Sequence, residues 1–181
     1  MSKAISNHFH GTTGEREFQK DQEQYEDDII KERVRGLDLN EHPVNYKSSL
    51  SKKAIKEKID NHTATKEEYK KYDSMTRLAK RRNKGVKEFW KQERRRIKKG
   101  EPTTRNWTAE QRRDILNNKR PKVNGKSIYG HHAYSVSKYP HLANKGVVIY
   151  PVTFEEHLYD WHGGNFKNSL PGMPFKRKRK V

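Results

Sequence analysis

Apolar positions are sparse in the first hundred residues, and those present predict helices stopped by Gly, Asn or Pro. Phe18, Tyr25, Ile29, Ile30 and Val34 predict a first helix from about Glu15 to Val34, ended near Gly36. So thin an apolar face needs a neighbour to be stable. Pro43 breaks the chain, because the residue before a proline is pushed out of helical geometry. Ser51 opens a short helix that ends near Asn61. Thr65 and Glu68 have capping-box spacing, and a long basic helical stretch follows to Gly100. Asn83 to Gly85 is expected to divide that stretch into a helical hairpin.

After Pro102 the texture changes. Thr108 and Gln111 form a second capping-box pattern, opening a helix whose buried corner is expected to be Ile115 and Leu116. Asn124-Gly125 is a two-residue hairpin signal between short β-capable segments. Residues 146–152, GVVIYPV, are the most strand-like run, and Thr153 then caps a last helix with Glu155 and Glu156 in its first turn. Gly163-Gly164 stop it, so residues 128–162 read strand, loop, strand, helix. Tyr139, Tyr150, Phe154, Leu158 and Trp161 are read as core, since so small a unit needs its aromatic residues inside.

Charge sharpens this picture. The 181 residues carry 41 Lys+Arg against 23 Asp+Glu, a formal net charge of +18, and only 30% of the chain is hydrophobic. Residues 1–60 hold 11 basic and 12 acidic residues, whereas residues 61–120 hold 20 and 8. A polyanionic partner is implied after the first third, nucleic acid before membrane. Arg81, Arg82, Arg94, Arg95, Arg96, Arg112 and Arg113 are the candidate phosphate contacts, sequence-independent and salt-sensitive. The balanced first third suggests a protein-contact surface. No run is apolar enough to insert into a membrane, and the N-terminal residues lack the apolar core of a signal peptide.

The chain has no cysteine, so a metal would fall to His, carboxylate or water. Five of its nine histidines lie in one window: His131, His132, His141, His157 and His162. Imidazoles converging from a strand and a helix can hold a divalent ion, leaving a further His free as a base. His141, in the loop, reads as structural. Such a set suits phosphodiester hydrolysis, in which a metal stabilises charge on phosphate and leaving oxygen while a His takes a proton from water.

The stretch GHHAYSVSKYPHLANKGVVIYPVTFEEHLYDWHGGNF resembles the ββα-metal finger of the HNH and endonuclease VII superfamily, in the Gly-His-His form found at the C-termini of bacterial polymorphic toxins. The resemblance is specific over residues 128–166 and extends towards Trp107. It implies an α+β chain in which a mainly helical, basic N-terminal region precedes a small ββα-metal nuclease finger. It also implies His132 as general base and His131 and His157, with His162, as ligands of one divalent ion, Mg, Mn, Zn or Ni. A His-rich site suits Zn²⁺, Ni²⁺ or Mn²⁺ better than Mg²⁺.

The implied organisation is a linker at 1–14, a helical basic region at 15–105, a nuclease domain at 106–170 and a disordered basic tail at 171–181. The implied activity is metal-dependent cutting of DNA, ahead of RNA, by a toxin that a cognate immunity protein neutralises. Such an effector would be delivered without a cleavable signal peptide and act in the target-cell cytoplasm. An RNase toxin and a non-catalytic nucleic-acid-binding protein with a degenerate finger are the alternatives. Two positions depart from the family pattern. The Asn that orients the base would fall near Val148, leaving Asn144 or Asn165 to substitute. His157 and His162 are five apart rather than four, about 140° apart on an α-helical wheel.

Overall fold

The computed structural model describes residues 13–166; most of the 1–14 linker and the 171–181 tail lie outside them. Helix α1 spans Thr13–Arg33, α2 Lys52–Asp60, α3 Lys66–Lys99 and α4 Ala109–Leu116. Two antiparallel pairs follow, β1 (Lys122–Val123) with β2 (Lys126–Ser127), and β3 (Tyr129–His132) with β4 (Ile149–Val152). The last element is a π-helical turn, Glu156–Trp161. This is the α+β arrangement of a helical N-terminal region followed by a small finger.

Helix α3 corrects the expected hairpin at Asn83–Gly85, running uninterrupted for 34 residues, about 50 Å at 1.5 Å per residue. Its capping box is in place, with the Thr65 hydroxyl accepting from the Glu68 N–H at 3.2 Å and the Glu68 carboxylate accepting from the Thr65 N–H at 2.7 Å. Gly100, at φ +66°, ends it. Gly85 is buried mid-helix, where glycine costs roughly 1 kcal/mol relative to Ala. A Cβ there would collide with the Ala143 carbonyl oxygen, so close approach and not a break explains this glycine. Gly146 meets the same helix, since its Cβ would lie 2.6 Å from the Phe89 backbone nitrogen. Residues 146–148 form a 3₁₀ turn against the helix, so the expected strand is confined to Ile149–Val152.

The hairpin signal at Asn124-Gly125 is realised, both residues adopting positive φ between β1 and β2. In the finger, His131 pairs with Tyr150 and His132 with Ile149. The principal core joins Ile30 and Val34 of α1 and Phe89 of α3 to Tyr134, Tyr139, Leu142, Val148, Ile149, Tyr150, Val152 and Trp161. The Tyr150 hydroxyl donates to Asp27 at 2.9 Å, tying α1 to β4. Trp107, Ile115 and Ile128 form a smaller cluster. Two expected core residues are at the surface: Leu116, adjacent to buried Ile115 and so about 100° round the helix, and Phe154, in the first turn of the last element.

Glu93 of α3 is fully buried and accepts from the Thr104 N–H and hydroxyl, the Trp107 indole and Arg96. A buried carboxylate requires such partners. Arg96 is therefore itself buried and corrects its assignment as a phosphate contact. Among the described residues, no helix is long and apolar enough to cross a membrane.

Candidate functional site

Neighbouring positions on β3 send His131 and His132 to opposite sides of the strand, since side chains alternate along it. His131 meets the last element. Its ring lies 4.5 Å from that of Trp161, itself packed on Tyr150, and 4.9 and 5.3 Å from the rings of His157 and His162. One nitrogen from each of the three imidazoles lies within 4.8 Å of the other two.

The five-residue spacing of His157 and His162 is accommodated by the π-helical turn. Its i→i+5 bonding places residues five apart about one turn along, so the two rings meet edge to face at 4.8 Å instead of pointing away. Gly163 and Gly164, both at positive φ, close the segment behind them. The two Nε2 atoms face each other at 3.2 Å. Two nitrogens each about 2.0–2.1 Å from a tetrahedral ion stand roughly 3.3 Å apart, so this pair suits a common cation. Burial, with help from His162 and Arg82, pushes His157 down to about 4, which keeps the imidazole in its ligand form at neutral pH.

The turn is anchored from both ends. Thr153 and Glu156 exchange capping bonds of 2.8 and 3.2 Å. Arg105 grips the Glu156 carboxylate with two bonds of 2.9 and 2.7 Å and donates to the Pro151 carbonyl at 3.1 Å. Arg105 also stands 3.7 Å from buried Glu26, which links the turn to α1.

His132 faces the loop between β3 and β4, where its Nε2 and the Ala143 carbonyl are 2.8 Å apart. A carbonyl only accepts, so Nε2 carries the hydrogen and Nδ1 is left with the lone pair. Burial lowers the His132 pKa, the Ala143 bond opposes this, and Arg82 lowers it further. The charge of Arg82 thus acts on both His132 and His157.

Asn144 and Asn165, the expected orienting groups, both engage other partners. The Asn144 amide oxygen accepts from Arg81 at 3.3 Å, and Asn165 is exposed beyond the turn, its N–H donating to the His162 carbonyl. The His132 ring bonds instead to the Ala143 carbonyl, a backbone group that no residue type announces. Arg81 also donates to the His141 carbonyl at 3.0 Å, so it braces the loop from α3. Of the other arginines, Arg82, Arg95 and Arg113 are exposed, Arg94 is partly so, and Arg112 donates to the Trp107 carbonyl at 3.1 Å. Sequence reasoning missed Gly85, Glu93 and Arg105. For Gly85 the available signal was a lone glycine inside an otherwise helical pattern.

A two-stranded antiparallel sheet followed by a helical turn, together gathering three imidazoles, is consistent with a ββα-metal finger. Residues 74–153 match the family described as "GHH signature containing HNH/Endo VII superfamily nuclease toxin". The match contains His131, His132 and Ala143 and ends before His157 and His162. No curated protein and no solved structure matches the chain.

Proposed function

We propose that this chain is a metal-dependent endonuclease toxin that hydrolyses DNA phosphodiester bonds with little sequence specificity. The observation that carries this reading is the His132 tautomer. Its Nε2–H is held by Ala143, and its Nδ1 lone pair belongs to an imidazole that burial keeps neutral. That nitrogen takes a proton from the attacking water. A divalent ion held by His131, His157 and His162 would supply charge stabilisation at the scissile phosphate and its leaving 3′ oxygen. Trp161 and the Arg105–Glu156 clamp keep the three imidazoles in place. Arg82 offers a guanidinium to a phosphate oxygen beside the same histidines.

DNA is favoured over RNA because the exposed arginines of α3 offer backbone contacts without base-reading groups. The basic surface also suits an acidic immunity protein, whose complementary charge would speed capture. Action in the target-cell cytoplasm completes the reading.

The test is a gel assay on supercoiled plasmid and on total RNA with Mg²⁺, Mn²⁺, Zn²⁺ or EDTA, beside His132→Ala. Plasmid nicking abolished by both EDTA and the substitution is expected. RNA loss that survives EDTA would replace this reading with a metal-independent RNase, and salt-dependent binding without nicking would make the finger non-catalytic.

A further inference from the structure

A second group of ligand-type side chains, separate from His131, His157 and His162, lies between the α1–α2 connector and the β3–β4 loop. One ligand atom from each of Asp38, His42 and His141 lies within 4.8 Å of the other two. The His42 Nε2 is 2.6 Å from Asp38 Oδ2, and the His42 and His141 rings meet edge to face at 4.7 Å. Asp38 Oδ1 is occupied by the Asn40 N–H and amide at 2.9 and 2.8 Å. No Lys or Arg of the described residues pairs with this carboxylate.

Hydrogen bonding within a surface turn would account for Asp38 and His42, but His141 carries a separate observation. Its Nε2 donates to the Asp38 carbonyl at 2.8 Å, which leaves the lone pair on Nδ1, and Nδ1 is buried with no partner. Metal-binding histidines are commonly arranged this way, one nitrogen fixed to a backbone carbonyl and the other left for the ion. An unsatisfied buried acceptor otherwise carries a desolvation cost.

We propose that Asp38, His42 and His141 form a second, structural divalent-cation site that fastens the α1–α2 connector to the β3–β4 loop. Two imidazoles and one carboxylate with a position open to water suit Zn²⁺, Co²⁺ or Ni²⁺ in preference to Mg²⁺ or Ca²⁺. The same two segments already meet through the His42 N–H on the Lys138 carbonyl at 2.8 Å and the Lys138–Glu41 ion pair at 3.0 Å. A bound ion would tighten the loop that carries Ala143. The site shares no residue with the His131, His157 and His162 cluster and does not depend on the nuclease reading.

The probe is Zn²⁺ alone, titrated calorimetrically into the full chain. The wild type binds two equivalents, and Asp38→Asn with His42→Gln binds one while plasmid nicking persists. The His131→Ala, His157→Ala, His162→Ala chain keeps one equivalent, which the Asp38 and His42 substitutions then remove. Unchanged wild-type stoichiometry after Asp38→Asn and His42→Gln would overturn the proposal. Two-to-one loss on those substitutions together with no effect of the His131, His157 and His162 changes would retain it and refute the finger site instead.

Discussion

The carbonyl oxygen of Ala143 lies against the bare Cα of Gly85, with the His132 Nε2 within 3.3 Å of where a Cβ would be placed. Helix α3 thus sets the position of the acceptor that fixes the His132 tautomer. Gly85→Ala adds intrinsic helix propensity yet pushes on that carbonyl. Cleavage is expected to fall on the order of tenfold, a fraction of what a general base contributes. Far-UV circular dichroism and Zn²⁺ affinity of the finger should be unchanged, and full activity would show that the contact relaxes without consequence.

His132→Ala and His157→Ala should fail in different ways. The first is expected to reduce turnover by about 10²–10⁴ while metal stoichiometry holds, because a base is lost and no ligand is. The second loses an ion from the finger, which calorimetry would register. Equal loss of metal from both variants would contradict the division of roles across β3.

The metal-free protein should lose stability on acidification through a defined window. His157 in the fold titrates near 4 and an unfolded His near 6.5, so between these values the unfolded chain binds the extra proton. This contribution is fully present above about pH 6.5 and is lost as pH falls towards 4. His132 adds in the same direction. Thermal melts from pH 7.5 to 4.5 should show the decline, and His157→Ala should flatten it. Pre-loading with Zn²⁺ should move the decline to lower pH.

Adjacent arginines on α3 should also separate. Exposed Arg95→Gln is expected to lower the salt slope of DNA binding by about one, as removal of a phosphate contact does. Arg96→Gln leaves Glu93 short of a buried partner and should cost about 3–5 kcal/mol of stability in urea melts, with little change in slope. The opposite pattern would reverse the assignment of inner and outer faces.

Arg105→Gln removes both bonds to Glu156 and the guanidinium beside Glu26. A lower unfolding midpoint together with weaker Zn²⁺ binding is expected, since the π turn loses its fastening to α1. Destabilisation with undiminished metal affinity would mean the turn holds its shape alone.

Much of the fold could be read from caps and turns, because Thr65, Thr108, Asn124 and Gly125 act on their immediate neighbours. The histidines that meet could be named beforehand because their residue type carries the chemistry. What escaped depends on distant contacts. Gly85 looks like a break unless the Ala143 loop is known to lie on it. Arg96 carries the same charge as Arg95, and only the position of Glu93 tells them apart. Ala143 contributes a peptide carbonyl, which every residue possesses. Leu116 and Phe154 read as interior on hydrophobicity alone, whereas it is Ile115 and Trp161 that are buried.

The wide winding at Glu156–Trp161 bears on how such sites diverge. An i→i+5 turn behaves as an α-turn lengthened by one residue, so His157 and His162 are the equivalent of a four-residue pair after a single insertion. Deleting one residue between them would restore ordinary helical winding with both imidazoles still on one side. Ligand geometry can therefore persist through a change in chain length, and a search by fixed motif spacing would pass over members whose helix has been lengthened in this way.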